Sequence, residues 1–372
     1  MSVFLTGATG YLGSYLATGL LRRHPELRLE LLVRAQDQGA GRQRLWKAWQ
    51  LHMPFEEFRD GLDRVSIRLG DLTKSGFGLE PAGLESLVHS MDSVIHCAAS
   101  LNRKSAKACF NVNLRGTLEV IKAARAAHDH HGLRRFSDVS TVAVAGKRKS
   151  EGVTEADTIQ WDRSDYDPYA RTKKFCEHML HELLPDVSST VFRPATVLGD
   201  SRFPETTQFD MVKAFVWLAR SPVLPFDPSW RMDIVPADYV AKAITTIHMM
   251  ERPGHDAYNL SSGTSSPTFQ QITDALKAAG MGRGPRFARG LEGPASLAIR
   301  GVSHTPRHWG AARAASLLKV FLPYLTFDTV FDNQRIVTEL GEAPARFESY
   351  AHGLMRFAMD TDFTYPYRPW PA

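Results

Sequence analysis

Cysteine is scarce in this chain, and its three copies lie far apart. Cys97, Cys109 and Cys176 show neither the paired spacing of a metal site nor the short spacing of a redox motif. Their odd number also argues against a disulfide framework. We therefore expect reduced thiols in a cytoplasmic protein.

Long apolar runs and dense basic tracts are lacking as well. No apolar stretch approaches the length that spans a bilayer, and the N-terminus has no charged segment followed by an apolar one, as a signal peptide has. The formal net charge is only +5, without a Lys/Arg tract or a basic-aromatic repeat, so no nucleic-acid partner is predicted. This mild excess suits an anionic ligand or an acidic protein partner.

What the sequence does contain is a regular alternation of short apolar runs and helical patterns. The apolar runs lie at residues 2–6, 29–33, 65–69, 93–96, 135–139 and 189–192. Helical patterns separate them, most clearly at 106–127, and a helix-rich tail includes 311–321 and 347–359. Strands that alternate with helices predict an α/β fold with a doubly wound, Rossmann-type parallel sheet.

A glycine-rich turn connects the first apolar run to the first helical pattern. Its glycines have the spacing G-x-x-G-x-x-G, which permits a tight turn, close approach to a pyrophosphate and close helix–strand packing. The following helix N-terminus offers amides and a positive dipole end to phosphate. We therefore predict dinucleotide binding here. The predicted contacts are Thr6, Gly7, Thr9, Gly10, Tyr11, Leu12 and Gly13.

Arginine, rather than an acidic residue, closes the second predicted strand. NAD-preferring folds place a carboxylate there for the ribose 2′-hydroxyl, whereas arginine accommodates a 2′-phosphate. Arg34 has this position, and Arg42 and Arg44 follow within reach of a loop. The sequence therefore predicts NADPH as the cofactor, bound through Arg34 and Arg44.

Two later strand ends carry further candidates. Asp71, followed by Leu72, either receives the adenine amino group or caps a helix. His96 ends the fourth strand and is expected to be structural. The small residues that would let the backbone approach the cofactor ribose follow it, namely Cys97, Ala98 and Ala99.

Tyr169 is followed four residues later by Lys173. On a helix this spacing puts both side chains on one face. An adjacent ammonium stabilises phenolate, so we expect Lys173 to draw the pKa of Tyr169 towards neutrality and make it a proton donor. Thr141, at the end of the fifth strand, is expected to hold a substrate carbonyl beside Tyr169. Asn113 is expected to support the water network of Lys173.

Two other clusters are discounted. His128, His130 and His131 end a predicted helix, where imidazoles complement the helix dipole, so no metal site is predicted. The basic patch at 300–308 is interpreted as a solvated face, with contact to a phosphate or a carrier protein as the alternative.

Taken together, these motifs resemble an extended short-chain dehydrogenase/reductase over residues 2–263. They are T-G-A-T-G-Y-L-G at 6–13, G-D-L at 70–72, H-C-A-A at 96–99, N-V-N-L-R-G-T at 111–117, Y-A-R-T-K at 169–173 and Y-N-L-S-S-G at 258–263. Within that superfamily the chain is similar to the thioester-reductase group, which includes the reductase domains of carboxylic acid reductases and nonribosomal peptide synthetases and the fatty acyl-CoA reductases. The segments L-V-R-A at 32–35, V-S-T-V-A-V-A-G at 139–146, F-R-P-A-T-V-L-G at 192–199 and D-I-V-P-A-D-Y-V-A at 233–241 carry that similarity.

The resemblance implies an NADPH-dependent reductase of acyl-CoA or acyl-carrier-protein thioesters. Thr141, Tyr169 and Lys173 would act on the carbonyl and yield an aldehyde or an alcohol. It also implies cofactor contacts from Arg193, Pro194 and Thr196. No adenylation or carrier domain precedes Met1, so an acidic carrier protein is expected to act in trans.

Other functions on the same scaffold stay open. One is a hydroxysteroid- or dihydroflavonol-type ketone reductase. Another is a sugar-nucleotide epimerase, against which Arg34 argues. The third is a non-catalytic NADP-binding regulator, but such proteins usually lack the tyrosine or the lysine. Residues 1–200 plus 232–263 are expected to form the NADP-binding domain. Residues 201–231 plus 264–372 are expected to form a smaller, mostly helical substrate-binding region.

Overall fold

Seven parallel strands form the central sheet of the computed structural model, which describes residues 1–282, 284–291, 293–294, 326 and 328–371. The strands are β1 Ser2–Thr6, β2 Arg28–Val33, β3 Val65–Leu69, β4 Ser93–His96, β5 Arg135–Val139, β6 Gly152–Val153, β7 Ser189–Pro194, β8 Thr196–Val197, β9 Val223–Leu224, β10 Ile234–Val235, β11 Ala257–Leu260, β12 Arg286–Phe287 and β13 Val330–Phe331. The six two-residue strands pair as three separate ribbons, β8 with β10, β9 with β12 and β6 with β13.

Helices cover the sheet and continue beyond it. Those of the described residues are α1 Tyr11–Arg23, α2 Gln38–Trp49, α3 Phe55–Gly61, α4 Pro81–Ser90, α5 Ala106–Cys109, α6 Gly116–His131, α7 Pro168–Leu183, α8 Asp210–Arg220, α9 Ala237–Met249, α10 Phe269–Ala278, α11 Gln334–Leu340 and α12 Phe347–Asp360. The helix predicted over 106–127 is divided, because a π-helical segment, Phe110–Arg115, separates α5 from α6. None of these helices is long and apolar enough to cross a membrane.

The order of the sheet, β3-β2-β1-β4-β5-β7-β11, confirms the predicted doubly wound α/β fold. Leu5 of β1 pairs with Leu31 on one side and with Ile95 on the other. All three side chains are fully buried, as expected for strands covered on both faces. The order reverses between β1 and β4, so the loops at their carboxyl ends diverge and leave a crevice, where such sheets bind ligands.

A second hydrophobic core lies apart from the sheet. It joins α8, α10 and α12 through side chains that include Phe215, Ile272 and Leu354. Two parts of the segment 264–372 pack elsewhere. Ile336 of α11 belongs to the core beside the sheet, and the ring of Trp370 lies 5.3 Å from that of Phe55 at the start of α3. The division into two domains therefore stays a prediction. The predicted helix 311–321 and the basic patch at 300–308 lie outside the described residues.

Candidate active site

Two glycines allow the turn after β1 to lie against the loop after β4. Gly7 has φ +83°, and a Cβ there would come within 2.8 Å of the Ala98 nitrogen. At Gly13 a Cβ would lie 2.0 Å from the Gly7 carbonyl oxygen, an impossible contact. The Gly10 amide donates to that same oxygen at 2.8 Å. This glycine turn, residues 7–13, therefore presents its backbone and the N-terminus of α1 to the crevice.

The crevice is a cleft of about 590 Å³. It brings together most of the residues that the sequence proposed for the site. Those that line it are Thr6, Gly7, Thr9, Gly10, Tyr11, Leu12, Gly13, Arg34, Arg44, Asp71, Leu72, Cys97, Ala98, Ala99, Thr141, Tyr169, Pro194 and Thr196. Lys173, Arg193 and Asn113 are not among the lining residues.

Two arginines and an aspartate form one end of the cleft. Arg34 Nη1 lies 3.9 Å from Asp71 Oδ2, and the Arg34 side chain is 72 % exposed. Arg44 donates from Nη1 to the backbone oxygen of Arg34. Asp71 Oδ1 accepts from the amide and the hydroxyl of Thr73, at 2.9 and 2.8 Å. Partial burial raises the pKa of Asp71, but these bonds and the charge of Arg34 lower it by more. The net shift is downwards, so the carboxyl is ionised. The exposed guanidiniums leave a cationic edge that suits a phosphate.

The helix α7 carries the proposed acid at its first turn. Asp167 caps the helix by accepting from the Ala170 amide at 2.9 Å, and Pro168 occupies the first helical position. The Tyr169 phenol is almost completely buried and lies near the side chain of Thr141, which lowers the pKa of the phenol. Thr141 lies two residues after the end of β5 and accepts from the Ala143 amide at 3.2 Å. Tyr169 and Thr141 therefore line the same part of the cleft.

The expected drop in the pKa of Tyr169 is wrong for this structure. Burial raises the pKa of the phenol more than the positive charges of Lys173 and Arg103 lower it, so the net shift is upwards. The four-residue spacing predicts the neighbouring cation but not the loss of solvent around the phenol. At neutral pH the phenol is therefore protonated and has a proton to donate.

Lys173 lies beneath Tyr169, enclosed by protein. Its Nζ is 3.6 Å from Oδ1 of Asp138, the penultimate residue of β5, and both side chains are 1 % exposed. Burial lowers the pKa of the ammonium, but Asp138 and the nearby thiol of Cys176 raise it more, so it stays above its usual value. Lys173 is thus a fixed positive charge.

Two of the predicted contacts are directed elsewhere. Asn113 accepts from the Ser100 amide at 2.7 Å and donates to the Thr172 hydroxyl at 3.1 Å, so its side chain ties the loop after β4 to α7. Arg193 donates from Nη2 to Glu177 at 2.8 Å inside the protein. A buried guanidinium needs such a carboxylate as its partner. The Arg193 side chain therefore pairs with Glu177 and does not line the cleft.

The structure adds site residues that the sequence reasoning missed. Asp138 has a local signal, since it is an acidic residue inside a buried strand. Arg103, which lines the cleft beside Tyr169, has none, because it lies on an irregular loop. The missed apolar lining consists of Leu32, Leu101, Val112, Val139, Val142, Ala195, Val197 and Met211.

Comparison with known proteins identifies the family. A family model described as "Male sterility protein" matches residues 5–244. The chain belongs to this family. Male sterility family members are NAD(P)-binding oxidoreductases of the thioester-reductase and fatty acyl-CoA-reductase type, which confirms the resemblance seen in the sequence.

Two relatives and one solved structure illustrate how far the similarity extends. The nonribosomal peptide synthetase asaC of Aspergillus flavus is 30 % identical over 68 % of this chain, which spans 25 % of that protein. The putative fatty acyl-CoA reductase CG8306 of Drosophila melanogaster is 26 % identical over 74 % of this chain and 62 % of its own length. The terminal R domain of the myxalamid PKS-NRPS pathway superposes with a TM-score of 0.81 at 21 % identity, covering 97 % of this chain and 91 % of that domain. The last comparison establishes a shared fold.

Proposed function

We propose that this protein is a cytoplasmic, NADPH-dependent reductase of acyl thioesters carried on CoA or on a carrier protein. It releases the aldehyde, which a second hydride could carry on to the alcohol. The observation that carries the proposal is the shared cleft: Tyr169 and Thr141 form one wall above Lys173, and the glycine turn forms another.

The residues present fit a dinucleotide with a 2′-phosphate. Any Cβ at Gly13 would collide with the turn, so the backbone is kept bare where a pyrophosphate would lie over the start of α1. Arg34 and Arg44 at the far end suit the extra phosphate. When bound there, NADPH supplies a hydride to the substrate carbonyl carbon.

The side chains of the other wall act on the carbonyl oxygen. Thr141 and Tyr169 present hydroxyls from adjacent positions and stabilise the negative charge that develops on that oxygen. Tyr169 then donates a proton to this oxygen. The phenol carries that proton at neutral pH because its pKa is raised. Lys173, fixed below, stabilises the phenolate that remains. The C–S bond of the resulting thiohemiacetal then breaks, its hydroxyl proton passes to the sulfur, and the thiol leaves as the carbonyl of the aldehyde re-forms.

The substrate class is supported by the apolar lining and by the relatives. Val142, Val197 and Met211 supply apolar surface within the cleft, which suits an acyl chain. The relatives include an L-2-aminoadipate reductase from Schizosaccharomyces pombe, as well as the peptide synthetase and the putative acyl-CoA reductase. The net charge of +5 suits the anionic CoA or an acidic carrier protein.

NADPH oxidation with a graded series of acyl-CoAs tests the proposal. The same acyl groups on a carrier protein form a second arm, and ketones form a third. We expect one thiol released per acyl group, and mass spectrometry to show aldehyde or alcohol. NADPH oxidation with ketones but no thiol release from either thioester arm would overturn the thioester assignment.

Tyr169→Phe tests the assignment of the acid. We expect it to abolish turnover while NADPH still binds, because the ring is kept and only the hydroxyl is lost. Tyr166→Phe is the matched control, since Tyr166 lies on the same segment but does not line the cleft. Full activity in Tyr169→Phe would rule out the proposed mechanism.

A further inference from the structure

The loop after β4 places a second cation against the proposed acid. Arg103 lines the cleft, and its guanidinium carbon lies 4.6 Å from the centroid of the Tyr169 ring. This distance is well within the range of a cation–π contact. The contact joins the loop after β4 to the helix α7, which follows β6, so neither local sequence reveals it.

The guanidinium is held in place by an ion pair. Arg103 Nη1 donates to Asp167 Oδ2 at 2.8 Å, and the two side chains are only 18 % and 14 % exposed. The other oxygen of Asp167 accepts from the Ala170 amide at 2.9 Å and caps α7. One carboxylate therefore fixes both Arg103 and the first turn of the helix that carries Tyr169. A cation anchored in this way loses little further freedom when the acid changes charge.

The charged groups that face Tyr169 come from three directions. Lys173 on α7 and Arg103 on the loop after β4 both favour the phenolate, whereas Asp167 at the start of α7 disfavours it. Asp138 on β5 acts indirectly, through Lys173. Because the site is largely withdrawn from water, each of these charges acts more strongly than it would on an exposed surface.

We propose that Arg103 is a positioning residue for proton donation: anchored by Asp167, it orients the Tyr169 ring and stabilises the phenolate left when the phenol proton moves to the substrate oxygen. The attraction of the guanidinium grows as negative charge spreads into the ring, so it is stronger after proton transfer than before. This role rests on the proposed function, in which Tyr169 is the acid.

Kinetics of Arg103→Gln in the full chain test the proposal. We expect kcat for NADPH-dependent reduction to fall about tenfold, the size expected for one lost cation–π contact of this kind, with little change in KM for NADPH. Proton donation becomes the slower step, so the solvent deuterium isotope effect on kcat rises. Activity requires the protonated phenol. Because Arg103 lowers the pKa of Tyr169, its removal lets the phenol keep its proton to higher pH, and the loss of activity at alkaline pH moves to higher pH. Arg103→Lys restores part of the rate, because it returns the charge without the flat guanidinium.

Asp167→Asn is the matched variant. Asparagine keeps the capping oxygen of α7 but removes the negative charge, so the alkaline loss of activity moves to lower pH, opposite to Arg103→Gln. Reduced kcat in both variants, with unchanged isotope effects and unmoved pH profiles, would mean that the ion pair only holds the loop, and the proposal would be overturned.

A titration without substrate separates this inference from the proposed function. Ultraviolet difference spectra report tyrosinate, and subtraction of the Tyr169→Phe spectrum identifies the signal of Tyr169. If the wild-type protein reduces no thioester but Arg103→Gln still moves this titration to higher pH, the substrate assignment fails and the coupling of Arg103 to Tyr169 stands. An unmoved titration overturns the coupling itself.

Discussion

Lys173 Nζ lies 3.6 Å from Asp138 Oδ1, and both side chains are 1 % exposed. Neither oxygen of Asp138 has a hydrogen-bond partner among the described residues. The carboxylate therefore acts chiefly by its charge, and it counteracts the tendency of burial to strip Lys173 of its proton. The cation beneath Tyr169 depends on a residue of a different structural element.

Asp138→Asn is expected to weaken both the fold and the site. Removal of one partner leaves a buried charge uncompensated, so the free energy of unfolding should fall by about 3 kcal/mol. The pKa of Lys173 should fall too, and kcat should decline at lower alkaline pH than in the wild-type protein. Urea unfolding and a kcat–pH profile measure the two effects.

Asp165→Asn provides the comparison for that experiment. It breaks the pair between Asp165, which precedes α7, and Lys174 on that helix, whose charged atoms lie 2.8 Å apart. It should lower stability without moving the pH profile. A profile that is identical in Asp138→Asn and in the wild-type protein would contradict the role given to Asp138.

Gly13→Ala is expected to abolish NADPH binding and to lower the melting temperature. The added Cβ would lie 2.0 Å from the Gly7 carbonyl oxygen, so the turn and α1 would have to separate. Gly19→Ala on the same helix is the control, since nothing lies within 4 Å of its added Cβ and alanine favours a helix by about 1 kcal/mol. Fluorescence titration with NADPH and thermal unfolding distinguish the two, and tight NADPH binding by Gly13→Ala would refute the packing argument.

The double substitution Arg34→Ala and Arg44→Ala is expected to raise KM for NADPH by about 10- to 100-fold, because two charge-assisted phosphate contacts are lost. KM for NADH should change little. Arg42→Ala is the control, since Arg42 lies on α2 but does not line the cleft. Equal effects on both cofactors would show that the arginines do not read the 2′-phosphate.

The stability of the protein is expected to fall between pH 4.5 and 7, in part through Glu155. Burial raises the pKa of this carboxyl from its ordinary 4.5 to about 7, although its bond to the Asn259 amide and the charge of Arg335 oppose the shift. The folded state therefore binds the proton more tightly than the unfolded state. The stabilisation is fully present below pH 4.5 and is lost as the pH rises through 7, up to about 3 kcal/mol.

Glu155→Gln should remove this part of the pH dependence. Urea unfolding at pH 5 and at pH 7 gives the free energy of unfolding at each pH. The change between the two pH values should be smaller in the variant than in the wild-type protein. Glu151→Gln is the control, because ionic contacts lower the pKa of Glu151 and its titration lies below this range. If the free energy of unfolding changes equally between pH 5 and pH 7 in the wild-type protein and in Glu155→Gln, the raised pKa of Glu155 is contradicted.

Short-range patterns in the sequence were sufficient for much of this protein. Apolar runs and helical periodicity predicted the parallel sheet, since each pattern reflects the burial of a single element. The three glycines predicted the turn, because their spacing is set by the local backbone geometry that the turn requires. Tyr169 and Lys173 are four residues apart on one helix, so their shared face was also predictable.

The tertiary structure decided what surrounds those residues. Arg103 and Asp138 reach Tyr169 and Lys173 from other elements, and Arg193 turns to Glu177 rather than to the cleft. The direction of the Tyr169 pKa shift reversed for the same reason. Spacing along the chain reveals a neighbouring charge, but the loss of solvent depends on how distant segments pack. The sequence by itself therefore determined the fold and singled out Tyr169 as the candidate acid, and only the packing decided how strongly that phenol holds its proton.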